Sequence, residues 1–166
     1  MKKLIVLSAI AALTSGAAIA NNDIGVSGTL PVTCSATTTG GNNANFTNAQ
    51  MLAGSGTKTI HFDLICNDYH GADIQLKSTN GWLKNTDDTS GLTGVQYDAH
   101  LTADSGYYDF TLNAVGNTGP QVNNQAKPGT PSLASGTTGQ IDISLQSAAT
   151  WAGTHSDTLL MTVSAQ

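Results

Sequence analysis

The strongest constraint on the fold is a recurring alternation of apolar and polar residues between polar turn clusters. In TIHFDLIC (59–66), apolar side chains occupy every second position as far as the cysteine. Similar alternation occurs in ADIQLKS (72–78), GVQYDAHLT (94–102), YDFTLN (108–113), QIDISLQ (140–146) and DTLLMTVSAQ (157–166). Successive side chains of a strand point to opposite faces, so a period of two is typical of half-buried strands. With the opening stretch 21–34, the pattern predicts about seven strands, the number in an immunoglobulin-like sandwich.

The composition favours the same fold class. The chain contains no arginine and no glutamate, and it is rich in threonine, serine, asparagine and glycine. The strong helix formers are therefore scarce, which argues against helices and for an all-β domain. The segments 35–50 and 116–139 combine glycine, asparagine and threonine, with prolines in the second. We interpret both as loops with room for short strands inside them.

Residues 1–20 have the pattern of a secretory signal peptide. Two lysines precede the apolar run 4–13, and Ala18 and Ala20 occupy the minus-three and minus-one positions for cleavage after Ala20. A membrane anchor, the alternative, would need about 20 unbroken apolar residues, and this run ends at Thr14. We therefore expect an exported chain that is soluble or assembled at the surface.

The charge of the exported chain argues against nucleic acid as a partner. Removal of Lys2 and Lys3 leaves four lysines against eleven aspartates, a net charge near −7. Nucleic-acid binding depends on basic surfaces that neutralise phosphates. We expect no nucleic-acid partner.

The two cysteines, Cys34 and Cys66, each end an apolar row. Exported proteins commonly pair their cysteines, so the sequence predicts a disulfide between them. Closing a loop of about 30 residues should stabilise the fold by about 3 to 4 kcal/mol. Two free buried thiols are the alternative, and a metal site has less support because the CxxC spacing is missing.

Enzymatic chemistry has little basis in the sequence. The chain has four histidines, and those on predicted strands, His61 and His100, fall opposite the apolar rows. His70 lies close in sequence to two aspartates, which is typical of a polar turn. A copper–zinc superoxide dismutase would need more histidines than the four present and a His-x-His pair, and a serine hydrolase would need a G-x-S-x-G elbow. We expect no catalytic residues, no bound metal and no cofactor. The four histidines are His61, His70, His100 and His155.

The two ends of the exported chain carry a family resemblance. The first segment, NNDIGVSGTLPVTC (21–34), alternates regularly but has Gly28 in its middle, and the last, AGTHSDTLLMTVSAQ (152–166), ends in a strand pattern. In this organisation the sequence resembles the pilin subunits of chaperone–usher fimbriae. The stretch GTHSDTLLMTV is most similar to the archaic, spore-coat-U-like branch. The chain departs from many pilins by ending in Ser-Ala-Gln rather than near an aromatic residue.

The resemblance implies an incomplete immunoglobulin-like sandwich that lacks its final strand. Residues 31–166 would form the pilin domain, and residues 21–30 would be a donor strand that completes a neighbouring subunit. In that strand the aliphatic side chains would fill pockets while Gly28 passes a constricted point. The expected donor positions are Ile24, Val26, Gly28 and Leu30. The expected C-terminal groove strand carries Leu159, Met161, Val163 and Ala165.

The resemblance also implies the partners and the destination. A periplasmic chaperone would lend a strand to the groove, an outer-membrane usher would assemble the fibre, and copies of the chain or other pilins would polymerise. The protein would then be a structural subunit of a surface fimbria that supports adhesion to a host or abiotic surface, or biofilm formation. Two alternatives remain open: 21–34 could be an ordinary first strand, or the chain could be a single-domain adhesin or carbohydrate-binding module. In the carbohydrate-binding alternative, the aromatic residues that could stack on sugars are Tyr69, Trp82, Tyr107, Tyr108 and Trp151.

Overall fold

The computed structural model describes residues 26–116 and 119–166. The compact unit runs from Pro31 to Gln166. The expected signal peptide and Ile24 lie outside the described residues. The described strands are β1 (Cys34–Thr39), β2 (Thr57–Cys66), β3 (Ala72–Ser78), β4 (Leu83–Asn85), β5 (Gly94–Val95), β6 (Tyr97–Ala103), β7 (Tyr108–Ala114), β8 (Gln121–Lys127), β9 (Thr137–Leu145), β10 (His155–Ser156) and β11 (Leu159–Ala165), and the helices are α1 (Asn48–Ala53) and α2 (Pro131–Ser135).

The strands form three antiparallel sheets, which confirms the all-β class. The largest has five strands in the order β1-β2-β9-β6-β7. A second sheet has the order β11-β3-β8, and a small third sheet has the order β10-β4-β5. Neighbouring strands within each sheet are antiparallel.

One hydrophobic core is enclosed by side chains from the two larger sheets. Phe62 and Leu64 of β2 and Ile74 and Leu76 of β3 are each at most 1% exposed. These residues lie in the alternating rows that the sequence predicts, because every second side chain of a half-buried strand points inward. Leu133 of α2 is also fully buried in this core.

The predicted disulfide is confirmed. Cys34 and Cys66 are directly opposite in the pairing of β1 with β2, and their sulfurs are bonded. Asn67 fixes the chain just before this bridge, because its side chain accepts from the Thr33 backbone N–H at 2.7 Å and donates to the Pro31 carbonyl at 3.0 Å. We call this the disulfide end of the domain, and the other end, where α1 precedes β2, the α1 end.

The strand count and the opening strand differ from the sequence prediction. Eleven strands are described rather than about seven, and residues 26–33 are in no strand, so the first described strand begins at Cys34. β8 and all of β1 except Cys34 lie inside the segments that we interpreted as loops with room for short strands. Their sequences, CSATTT and QVNNQAK, carry few apolar residues because both are edge strands with largely exposed side chains. Periodicity of apolar residues cannot detect such strands.

Two short helices also form despite the scarcity of helix formers. α1 begins after Thr47, whose side chain accepts from the Gln50 backbone N–H while the Gln50 side chain accepts from the Thr47 N–H, and it ends at Gly54 in the left-handed conformation. α2 begins after Thr130 with Pro131 in its first turn. Local capping therefore sets these helices, not the propensity of their interiors.

Candidate functional site

The most distinctive feature of the domain is an open seam between its two larger sheets. Within the described ranges, β11 pairs with β3 on one side and has no strand on its other edge. β1 likewise pairs with β2 alone in that part of the chain. β1 and β11 run close beside each other, and a groove of about 380 Å³ between them is lined by residues of β1 and by Leu159 and Met161 of β11. Each edge presents backbone N–H and C=O groups that a further strand could pair.

The inward-facing side chains of β11 are more exposed than those of β3, the strand that pairs with it. In the antiparallel register, Met161 lies opposite Leu76 and Val163 lies opposite Ile74, so each pair points to the same side of the sheet. Both β3 side chains are 0% exposed, whereas both β11 side chains are only partly buried. The core is therefore complete under β3 and incomplete under β11.

The floor of the groove is apolar. Ile60 of β2 and Ile141 and Ile143 of β9 line it, together with Leu159 and Met161 of β11. Ile143, Leu159 and Met161 pack against the buried core without being enclosed by it. A row of aliphatic side chains in the groove would cover these residues, and each fully buried aliphatic contributes about 1.5 to 3 kcal/mol.

The opposite seam, between β7 and β8, is closed by side-chain amides. Gln125 of β8 accepts from the Asp109 backbone N–H at 2.9 Å and donates to the Asp109 carbonyl at 3.3 Å. Asn123 donates to the Thr111 carbonyl at 2.7 Å. These bonds satisfy backbone groups at the β7 edge that would otherwise be unpaired. The two seams therefore differ in chemistry: one is sealed by amides, and the other is open and apolar.

Asp157 fixes the start of β11. Its carboxylate accepts from the Ser78 hydroxyl at 2.5 Å and the Tyr97 hydroxyl at 2.7 Å. It also accepts from the backbone N–H groups of Asn80 at 2.9 Å and Thr158 at 2.7 Å. Burial raises the pKa of Tyr97 above its ordinary value, so this hydroxyl stays protonated as a donor. The network holds the open strand in place, and apolar periodicity could not reveal it.

The last residue fixes the other end of β11. The side chain of Gln166 donates to the backbone carbonyls of Ala72 at 3.0 Å and Lys127 at 2.7 Å. The buried Tyr108 hydroxyl bonds to the same two carbonyls. The C-terminal strand is thus held by polar contacts at both of its ends.

The structure places the predicted site residues in two groups. Leu159, Met161 and Val163 lie on one side of β11 and are partly buried, and Ala165 at its end is exposed. Of the expected donor residues, Val26 is 91% exposed and Leu30 is 79% exposed. No atom lies within 4 Å of a Cβ placed on Gly28. The donor role of these residues stays a prediction.

The described part of the chain brings no three histidine, cysteine, aspartate or glutamate side chains together in a way that could hold a metal. His61 is exposed on β2, and His100 pairs with Asp109 at 2.6 Å on the solvent side of β6 and β7. Among the candidate aromatics, Tyr108 is buried and Tyr107 stacks edge-on against it. The expectation of no catalysis and no metal stays a prediction.

Tyr69 and Trp151 are the candidate aromatics with the most exposed rings, at 90% and 63%. They lie at different ends of the domain. Tyr69 follows Cys66 at the disulfide end, whereas Trp151 follows β9, which ends at the α1 end. The two rings therefore cannot form one shared sugar-stacking platform.

No family model, curated protein or solved structure matches the chain. Neither described helix has the length and apolar character needed to cross a membrane.

Proposed function

We propose that the protein is a structural subunit of a surface fimbria, assembled by donor-strand exchange through a chaperone–usher pathway. The observation that carries the proposal is the open seam beside β11. Its inner row is partly exposed although the row directly opposite on β3 is fully buried. In this account the domain is an immunoglobulin-like sandwich that lacks its final strand, and a strand from a neighbouring copy completes it.

The segment 24–30 matches β11 in length and has the apolar face that would suit the groove. It spans seven residues, and β11 also has seven. Ile24, Val26 and Leu30 alternate with polar residues, so one face of the segment is aliphatic. Burial of three such side chains contributes roughly 1.5 to 3 kcal/mol each, and the backbone pairing of an added strand contributes further. Pro31 follows the segment and suits its end, because proline cannot donate to a ladder.

An antiparallel donor would give each residue a specific partner. If the two seven-residue segments pair over their full length, Val26 lies opposite Val163 and Leu30 lies opposite Leu159. Gly28 then lies opposite Met161, the largest side chain of the row. The register thus offers a reason for the missing side chain at position 28: a longer one would compete with Met161 for the same space.

The same groove would explain why the subunit needs a chaperone and an usher as partners. An incomplete subunit would expose its apolar floor before assembly, and such surfaces promote aggregation. A periplasmic chaperone that lends a strand would cover the floor until the outer-membrane usher replaces that strand with the next subunit's segment. The signal-peptide pattern of residues 1–20 fits passage through the periplasm to the cell surface.

The single-domain adhesin or carbohydrate-binding module has less support. Tyr69 and Trp151 lie at different ends of the domain, and Tyr108 is buried as part of the core. An adhesin would also leave the apolar groove beside β11 without an occupant. The fimbrial proposal accounts for the groove and for the exposed segment together.

The test of the proposal is a self-completed monomer. The segment NNDIGVSGTL is moved behind Gln166 through a short flexible linker, and the original copy is deleted. β11 ends at the disulfide end, so an antiparallel donor can follow it directly. The expected result is a soluble monomer with a raised melting temperature. A matched variant carrying Asp at the three aliphatic donor positions should show neither property, and equal behaviour of both variants would refute the proposal.

A further inference from the structure

We infer that the exposed surface around Trp151 is the body-to-body contact between successive copies of this chain, separate from the donor-strand groove. The inference rests on the proposed function. We define the Trp151 patch as Phe46, Met51, Leu52, Trp151 and His155, which line a cleft of about 430 Å³. Leu52 is 73% exposed and Trp151 is 63% exposed. Trp is the residue type most enriched among residues that dominate interface energies.

The Trp151 patch is continuous with the proposed groove. His155 lines both the patch and a neighbouring cavity that contains Leu159 and Ile143. Those two residues also line the groove beside β11. A subunit whose segment enters the groove at the Leu159 end would therefore arrive over the patch.

The folded domain of the donor subunit must lie close to the Trp151 patch of the acceptor. In the antiparallel register Leu30 lies at the Leu159 end of β11, and Cys34 begins β1 only four residues later. Four extended residues span at most about 14 Å. Asn67 also holds the backbone of Pro31 and Thr33 against the disulfide end. The disulfide end of the donor subunit must therefore lie against the α1 end of the acceptor.

The donor offers apolar side chains at that end. Val32 is 59% exposed and Tyr69 is 90% exposed, and both lie within two residues of Pro31 or Asn67, which mark the disulfide end. The patch and this pair are on different ends of one chain, so the contact is head-to-tail and can repeat from copy to copy instead of closing a two-fold dimer. A second copy of the chain is therefore the partner that fits the Trp151 patch.

The experiment uses Trp151 as its own reporter. Trp82→Phe leaves Trp151 as the remaining tryptophan. The full exported chain is refolded oxidatively, either alone so that fibres form, or with excess NNDIGVSGTL peptide so that each groove is filled without a neighbouring body. The expected result is a blue shift of Trp151 emission and reduced acrylamide quenching in fibres, and neither change in the peptide complex.

Assembly of Trp151→Ser gives the second readout. We expect about a tenfold or greater rise in the protein concentration at which fibres sediment, as for an interface hot spot, with unchanged peptide affinity. Val122→Ser, an exposed apolar residue on the far edge strand β8, should assemble like the parent chain. If Trp151 stays quenchable in fibres and Trp151→Ser assembles normally, the inference is wrong and the proposed function stands. If the peptide fails to bind the parent chain, the proposed function itself fails.

Discussion

Met161→Ala should weaken donor binding as well as destabilise the empty subunit. Truncating a fully buried methionine costs about 2 to 5 kcal/mol. In the subunit without a donor, Met161 is already largely covered, so most of that cost, about 1.5 to 3.5 kcal/mol, should appear there. The remainder, roughly 0.5 to 1.5 kcal/mol, arises only when a strand covers the groove. The affinity for NNDIGVSGTL should therefore fall about 2- to 12-fold.

Leu76→Ala is the matched control for this measurement. Leu76 lies directly opposite Met161 in the sheet but is 0% exposed without any donor. Its truncation should lower the free energy of unfolding of the empty and peptide-bound forms by the same amount and leave peptide affinity unchanged. Urea unfolding with and without peptide, combined with titration calorimetry, separates the two variants. Equal effects of both variants on peptide affinity would refute the argument that the core is incomplete under β11.

Three further predictions concern the disulfide, a buried tyrosine and the donor segment. Cys34 and Cys66 are 32 residues apart in sequence. Replacing both by serine should lower the free energy of unfolding by about 3 to 4 kcal/mol in urea titrations. Burial raises the pKa of Tyr97 above its ordinary value of 10, so its contribution to stability should be complete below pH 10 and decline as the pH rises above it. Tyr97→Phe should reduce that alkaline decline in urea unfolding measured across pH 9 to about 12, and an unchanged slope would contradict the assignment. Ile24→Asp and Gly28→Leu should each prevent fibres from sedimenting, the first by burying an unpaired charge and the second by overfilling the groove. Both should leave the melting temperature of the unassembled subunit unchanged.

The sequence predicts the central strands well because their rows are buried on one side. β3 has the bounds 72–78 that the alternation in ADIQLKS indicates. The disulfide could also be predicted, because both cysteines end inward rows in an exported chain. In these strands one inward face is sufficient to define the element and its register.

The edges of the sheets could not be predicted in the same way. β8, QVNNQAK, closes one seam through the amides of Asn123 and Gln125, and its role depends on backbone atoms of β7 that lie 12 and 16 residues earlier in the chain. The support that Asp157 gives to β11 depends on Ser78 and Tyr97, which come from two other strands. Such bonds leave no periodic signal, so tertiary structure is needed to show which seam is open.

The most direct test of donor-strand exchange is a cross-link between neighbouring copies. Val26→Cys combined with Val163→Cys places two thiols directly opposite in the proposed antiparallel register. Facing residues of antiparallel strands have Cα atoms about 4.5 to 5.5 Å apart, within the range that a disulfide bridges. Fibres of this variant, oxidised and separated without reductant, should give a ladder of covalent multimers. Val26→Cys with Met161→Cys, the facing pair of a parallel donor, should give little ladder. Monomers alone from the first variant, in fibres that sediment normally, would contradict the account.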